Sequence, residues 1–248
     1  MGTNVESTSA SAALFSVLRR HAQSEALTWL EGASASRSAF LARYAGLPRK
    51  LGVIERGGPQ GVPGLPGSAL VAWREDDLAQ LRAAGVIGPE VWSLIDVARG
   101  AILLRAFEAL DGAGQVSLAT EIFRRGDTGE RVSVLRCLAL APAPEPFAAL
   151  GAEACRSHVL DVVAALACEN PFPARALSEL AWNQMVMKAL FVGLPLERVH
   201  AWQSRNNSEL VRMTQDFAAE RRAAGRPVPD DVDRIAAEAA SSSAEVSL

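Results

Sequence analysis

The side chains best suited to chemistry crowd into one stretch of this 248-residue chain. Between residues 169 and 226 it reads Glu169-Asn170-Pro171-Phe172-Pro173, then Trp182-Asn183-Gln184-Met185-Val186-Met187-Lys188, then Arg205-Asn206-Asn207. Gln184 and Lys188 stand four apart and share a helix face, with Asn183 on an adjacent one. Amides among Trp, Met and Phe must find partners if they are buried. Two readings stay open. In one, Asn183 and Gln184 bond neighbouring loop backbone and Lys188 reaches out to solvent. In the other, Trp182, Asn183, Gln184, Lys188, Arg205 and Asn206 line a surface for a ligand or a partner. Asn206 also suits a helix cap, with Glu209 three residues on. A polyol-like ligand would hydrogen-bond these groups and stack on Trp182 and Trp202. Lys188 is then the one candidate for acid–base work, and no second group accompanies it.

The rest of the chain offers little chemistry. His21, His158 and His200 form no HExxH or HxH arrangement. Cys155 and His158 share a face but have no further ligands nearby, so no metal site is predicted. There is no GxSxG elbow and no Walker A loop. Gly57-Gly58-Pro59-Gln60-Gly61 contains proline and joins no strand to a helix, so it reads as a flexible loop. Glu75, Asp76-Asp77 and Asp230-Asp231 fall at helix N-termini, where the helix dipole favours acid. Arg19-Arg20 and Arg124-Arg125 read as solvated faces. No catalytic residue and no cofactor follow from any of this.

Hydrophobic residues make up 49% and charged residues 21%, enough apolar material for a core. The net charge of -3 argues against broad nucleic-acid binding. Cys137, Cys155 and Cys168 form no CxxC pair, which fits buried thiols in a reducing compartment. Residues 1–10 lack a basic leader, and no uncharged apolar run nears the roughly 18 residues of a membrane span. The expectation is a soluble, cytoplasmic protein without direct membrane insertion.

Apolar residues recur at helical spacing through Leu14, Val17, Leu18, Ala22, Leu27 and Leu30. Further helices are predicted over Ser36–Leu51, about Asp76–Ala84, Pro89–Leu110, Gln115–Arg124, from Asp127 to Pro142, and Ala152–Glu169. Three more are predicted over Pro173–Phe191, Asn206–Ala224 and Pro229–Ala239. Asp127 and Glu130 form a reciprocal cap. The run within 90–110 is apolar all round, which suggests burial on several sides or, less simply, a dimer contact. The prediction is all-α: stacked helical hairpins resembling a HEAT-like α-solenoid, clearest over 115–192, with one short extended segment at Ser68–Trp73. Residues 1–9 and 240–248 are expected to be disordered, flanking a single domain over 10–239 with a loop at 52–67.

Trp182 to Gly193, with Pro195-Leu196, Arg205-Asn206, Ser208-Glu209-Leu210, Met213, Glu220-Arg221 and Ala223-Ala224-Gly225-Arg226, resembles the EboA family. Cys155-Arg156, the run Glu169 to Arg175, Gly126-Asp127, Gly129-Glu130-Arg131 and Leu135-Arg136 fit the same family. The resemblance covers about residues 90–230 and departs from the family pattern at His200–Ser204. It implies a role in making or trafficking a secondary-metabolite precursor towards the cell envelope. The implied partners are proteins of the same bacterial gene cluster, a membrane prenyltransferase among them. No catalytic activity attaches to the family, so no catalytic residue is carried over. An accessory or adaptor protein is the leading expectation, and a small-metabolite binder or enzyme around Asn183, Gln184 and Lys188 the second.

Overall fold

The computed structural model of the protein describes residues 9–32, 34, 36–52 and 73–245, with side chains described through Ala240. Among the described residues, thirteen α-helices and four short 3-10 turns make up the fold and no sheet forms. Helix α1 spans Ala10–His21, α2 Ser24–Glu31 and α3 Arg37–Lys50. Helix α4 spans Glu75–Ala83, α5 Leu94–Glu108, α6 Gly112–Arg125 and α7 Thr128–Cys137. Helix α8 spans Ala148–Cys155, α9 Leu160–Ala167 and α10 Phe172–Ala176. The last three are α11 Glu179–Phe191, α12 Ser208–Ala223 and α13 Asp231–Glu245. The expected extended segment lies outside the described residues except for Trp73, as do residues 1–8 and most of the loop at 52–67.

Helix α5 is the axis of the N-terminal half. Its buried positions run almost unbroken from Ile95 to Leu104, because α1, α3 and α7 cover it on different sides. The apolar run predicted for burial is therefore spent inside one chain. Gly100 lets these helices close up: a Cβ there would sit 3.0 Å from both Cys137 Sγ of α7 and Leu14 Cδ1 of α1. From α7 the packing passes to α9, then to α11, α12 and α13. The order follows the chain, although helices of five to sixteen residues do not repeat at a fixed length.

Several predicted helices are broken in two. The first splits at Ala22–Gln23, where Ala22 turns extended. The one expected over 152–169 ends at Cys155, where Ser157 Oγ accepts from the Val159 N–H (3.1 Å) and offers the backbone a local alternative to the helix. His158 therefore leaves the Cys155 helix and is exposed. The one expected from Pro173 is interrupted at Leu177–Ser178, where Ser178 caps a new helix by accepting from the Ala181 N–H. The last helix continues to Glu245, past the predicted end at Ala239. Asp127 and Glu130 do form the reciprocal cap, each carboxylate accepting from the other's backbone N–H at 2.8 Å.

One polar network lies inside the apolar body. Asp96, 3% exposed, accepts from Ser93 N–H (2.9 Å), Ser93 Oγ (2.8 Å), Ser133 Oγ (2.6 Å) and Arg136 Nη1 (2.6 Å). Arg99 lies beside it, donating towards Ser133 Oγ and the Tyr44 carbonyl, both at 3.4 Å, with its guanidinium 5.4 Å from the Tyr44 ring centre. Burial raises the Asp96 carboxyl pKa, but the Arg136 charge and the hydroxyl and N–H donors outweigh it and hold the group below its ordinary value. The three thiols are buried. Burial pushes Cys155 up to about 11 and Cys168 to about 12, and raises Cys137 further, so all three stay protonated and unreactive near neutral pH.

Candidate functional site

Four of the six predicted site residues lie in and beside the seam between α11 and α12. Trp182 is fully buried, and the Arg205 guanidinium lies 4.9 Å from its ring centre. Arg205 Nη1 also donates to the carbonyls of Ala174 (2.8 Å), Leu177 (3.1 Å) and Pro173 (3.4 Å). The cation thus closes the C-terminal end of α10, where carbonyls lack helical partners. Asn183 is 1% exposed and exchanges two amide hydrogen bonds with Asn207, at 3.1 and 2.9 Å. Asn207 Oδ1 also accepts from the Leu210 N–H (2.9 Å), so Asn207, not Asn206, caps α12. Asn206 instead donates to the Ile235 carbonyl of α13 (2.8 Å). With two adjacent asparagines, the second caps its own helix and the first ties down the next.

Gln184 and Lys188 stand apart from this seam. Lys188 lies five residues beyond Asn183, a turn of about 140° around the helix. Gln184 is exposed, and Lys188 is half-buried with its ammonium 6.0 Å from the Phe191 ring centre. The structure therefore does not bring Lys188, Asn183 and Arg205 to one pocket, as a polyol site would require. Trp202 is buried under Arg234, so neither tryptophan offers a face to a ligand. Asn183→Ala is expected to cost about 1–3 kcal/mol of stability, because it removes both buried hydrogen bonds that tie α11 to the cap of α12. Urea unfolding followed by circular dichroism checks this. An unchanged midpoint would contradict the structural role.

The outer face of α11 shows what the sequence reading passed over. Leu180 is 65% exposed and Phe191 67% exposed. Together with Gln184 and Lys188 they fall at i, i+4, i+8 and i+11, one stripe along the helix. The spacing was visible in sequence. The exposure was not, because Leu180 and Phe191 are the residue types that ordinarily fill a core.

Two further polar groups join helices. Asp77 is buried: Oδ1 accepts from Arg20 Nε (2.6 Å), while Oδ2 accepts from the Arg74 N–H (3.2 Å) and lies 2.7 Å from His21 Nε2. Asp77 stands in the first turn of α4, as its N-terminal placement predicts, and it also joins α4 to α1 through Arg20, which keeps its outer side exposed. The Glu169-Asn170 pair is likewise architectural. Asn170 donates to the Leu135 and Ala165 carbonyls and accepts from the Phe172 N–H, while Glu169 holds Arg198 in a two-pronged ion pair at 2.7 and 2.9 Å. Among the described residues, no group of three or more His, Cys, Asp or Glu gathers in a metal-binding arrangement. No described helix is long and apolar enough to cross a membrane.

The fold and its polar seam thus define an all-helical protein whose unusual side chains are spent mainly on joining helices. The family model described as "Metabolite traffic protein EboA" matches residues 62–237, and the chain belongs to that family. No curated protein and no solved structure matches it. The match takes in the seam, the exposed stripe of α11 and the buried Asp96 network, and leaves α1 to α3 outside.

Proposed function

We propose that this protein is a non-enzymatic adaptor in metabolite traffic and that the outer face of α11 is where it holds a protein partner. The observation that carries this is the exposed stripe of Leu180, Gln184, Lys188 and Phe191. Two large apolar side chains, each about two-thirds exposed, flank a polar pair on a helix whose opposite face is locked in the core. Two exposed apolar side chains at the two ends of one face of a rigid helix offer anchor points for a partner laid along it. The partners are proteins encoded beside it, with a membrane prenyltransferase one of them, and the cargo is a secondary-metabolite precursor bound for the envelope. A cytoplasmic adaptor meeting a membrane enzyme fits that arrangement.

Affinity capture of the tagged full chain, with the neighbouring gene products co-expressed, tests this. The wild type is expected to retain at least one of them and Leu180→Glu/Phe191→Glu to lose it. If none is retained while the other cluster proteins bind one another, the adaptor reading is overturned.

A further inference from the structure

A cavity of about 370 Å³ opens between α2, α3, α5 and α6 and shares no lining residue with the α11 stripe. Its size lies at the lower end of small-molecule sites. The floor is apolar, built by Leu30, Phe40, Ile102 and Leu118, all buried. Three arginines line it, Arg37, Arg43 and Arg105, and among the described residues no acidic side chain lines it.

The arginines are not equivalent. Arg37 is neutralised by Glu121 at 2.5 Å and also donates to Ser117 Oγ. Arg43 donates to the Gly32 carbonyl and lies over the Trp29 ring. Arg105 is half-buried, with its guanidinium 3.8 Å from the centre of the Phe15 ring. Its hydrogen bond is a long one to the Glu31 carbonyl at 3.3 Å. The Glu31 carboxylate is turned away to Arg19 at 2.7 Å. Among the described residues no carboxylate pairs with Arg105. A partly desolvated guanidinium at the edge of an apolar cavity is suited to the acidic head of a small molecule whose apolar body fills the space.

We infer that this cavity binds a small amphipathic anion, a carboxylate or phosphate monoester on a compact apolar body, with Arg105 holding the acidic head. A metabolite site of this kind deepens the traffic reading given above, yet it uses none of the α11 stripe.

Isothermal titration of the full chain with 2-naphthoate, neutral 2-naphthamide and phenyl phosphate tests it. The expected result is one-to-one binding of at least one anion, with naphthamide at least about 10-fold weaker than naphthoate if the carboxylate is preferred. Tighter binding of phenyl phosphate would assign the head as a phosphate. Arg105→Gln is expected to weaken the anion about 10-fold and leave naphthamide unchanged. Ala106→Leu, which fills the cavity without touching the charge, is expected to weaken all three and covers the case in which Arg105→Gln does not fold. No binding by either anion, equal binding of naphthamide, or indifference to both substitutions would overturn the inference. Phe191→Glu should leave these titrations unchanged, so failure here and failure of the docking face are told apart.

Discussion

Asp96→Ala is expected to destabilise the protein by about 3–5 kcal/mol, enough to threaten folding of a typical domain. The carboxylate gathers Arg136, Ser133 and Ser93 in the middle of the core. Without it the Arg136 guanidinium, 6% exposed, stays buried with no counter-charge. The cost comes from that orphaned charge more than from the lost contacts. Asp96→Ala/Arg136→Met should therefore recover part of the loss. Guanidinium unfolding of the three proteins checks this, and a double variant no better than the single would contradict it.

The same carboxylate gives stability a pH dependence of definite sign. Its folded pKa is held below the ordinary value of about 3.9 that it regains on unfolding. Its contribution is therefore complete above that ordinary value and is lost as pH falls through the lower folded one. Asp77 acts in the same direction, because its bonds to His21, Arg20 and the Arg74 N–H outweigh the effect of burial. Asp96→Asn should flatten the acid limb of the stability curve and leave a smaller slope from Asp77.

Gly88→Ala is expected to cost about 2–4 kcal/mol, combining left-handed backbone strain with overpacking. Gly88 has φ +59°, and a Cβ there would lie 2.6 Å from Glu169 Cγ and 2.8 Å from its Cβ. Glu169 cannot easily yield. Its own φ is +47°, its N–H donates to the Arg198 carbonyl at 2.9 Å, and its carboxylate is fixed to Arg198. Gly193→Ala is the comparison: its φ is +77° with nothing within 4 Å of the new carbon, so only the backbone part of about 1–2 kcal/mol applies. Equal losses at the two positions would contradict the contact with Glu169.

The helical class, the buried run of α5 and the Asp127–Glu130 cap were legible because they rest on local rules: apolar periodicity and cap spacing. The breaks at Ser157 and Ser178 were harder, since a serine within an apolar pattern signals a stop only when its hydroxyl bonds the backbone. The polar stretch 182–206 stands out in the sequence, but its side chains divide by direction. Asn183 and Arg205 turn to the seam, while Gln184 and Lys188 turn outward. The pairing of Asp96 with Arg136, forty residues away, and of Asp77 with His21 had no local signal at all. Nor did the Arg105 cavity, whose walls come from four separate helices.

Titrating the captured partner against Phe191→Glu and Asn183→Ala side by side, with unfolding midpoints for both, divides the seam from the face most directly. The account predicts that Phe191→Glu loses at least about 30-fold in affinity at an unchanged midpoint, as an anchor of an interface does. It predicts that Asn183→Ala lowers the midpoint and binds the partner normally. The reverse pattern, with affinity following Asn183 and indifferent to Phe191, would contradict it.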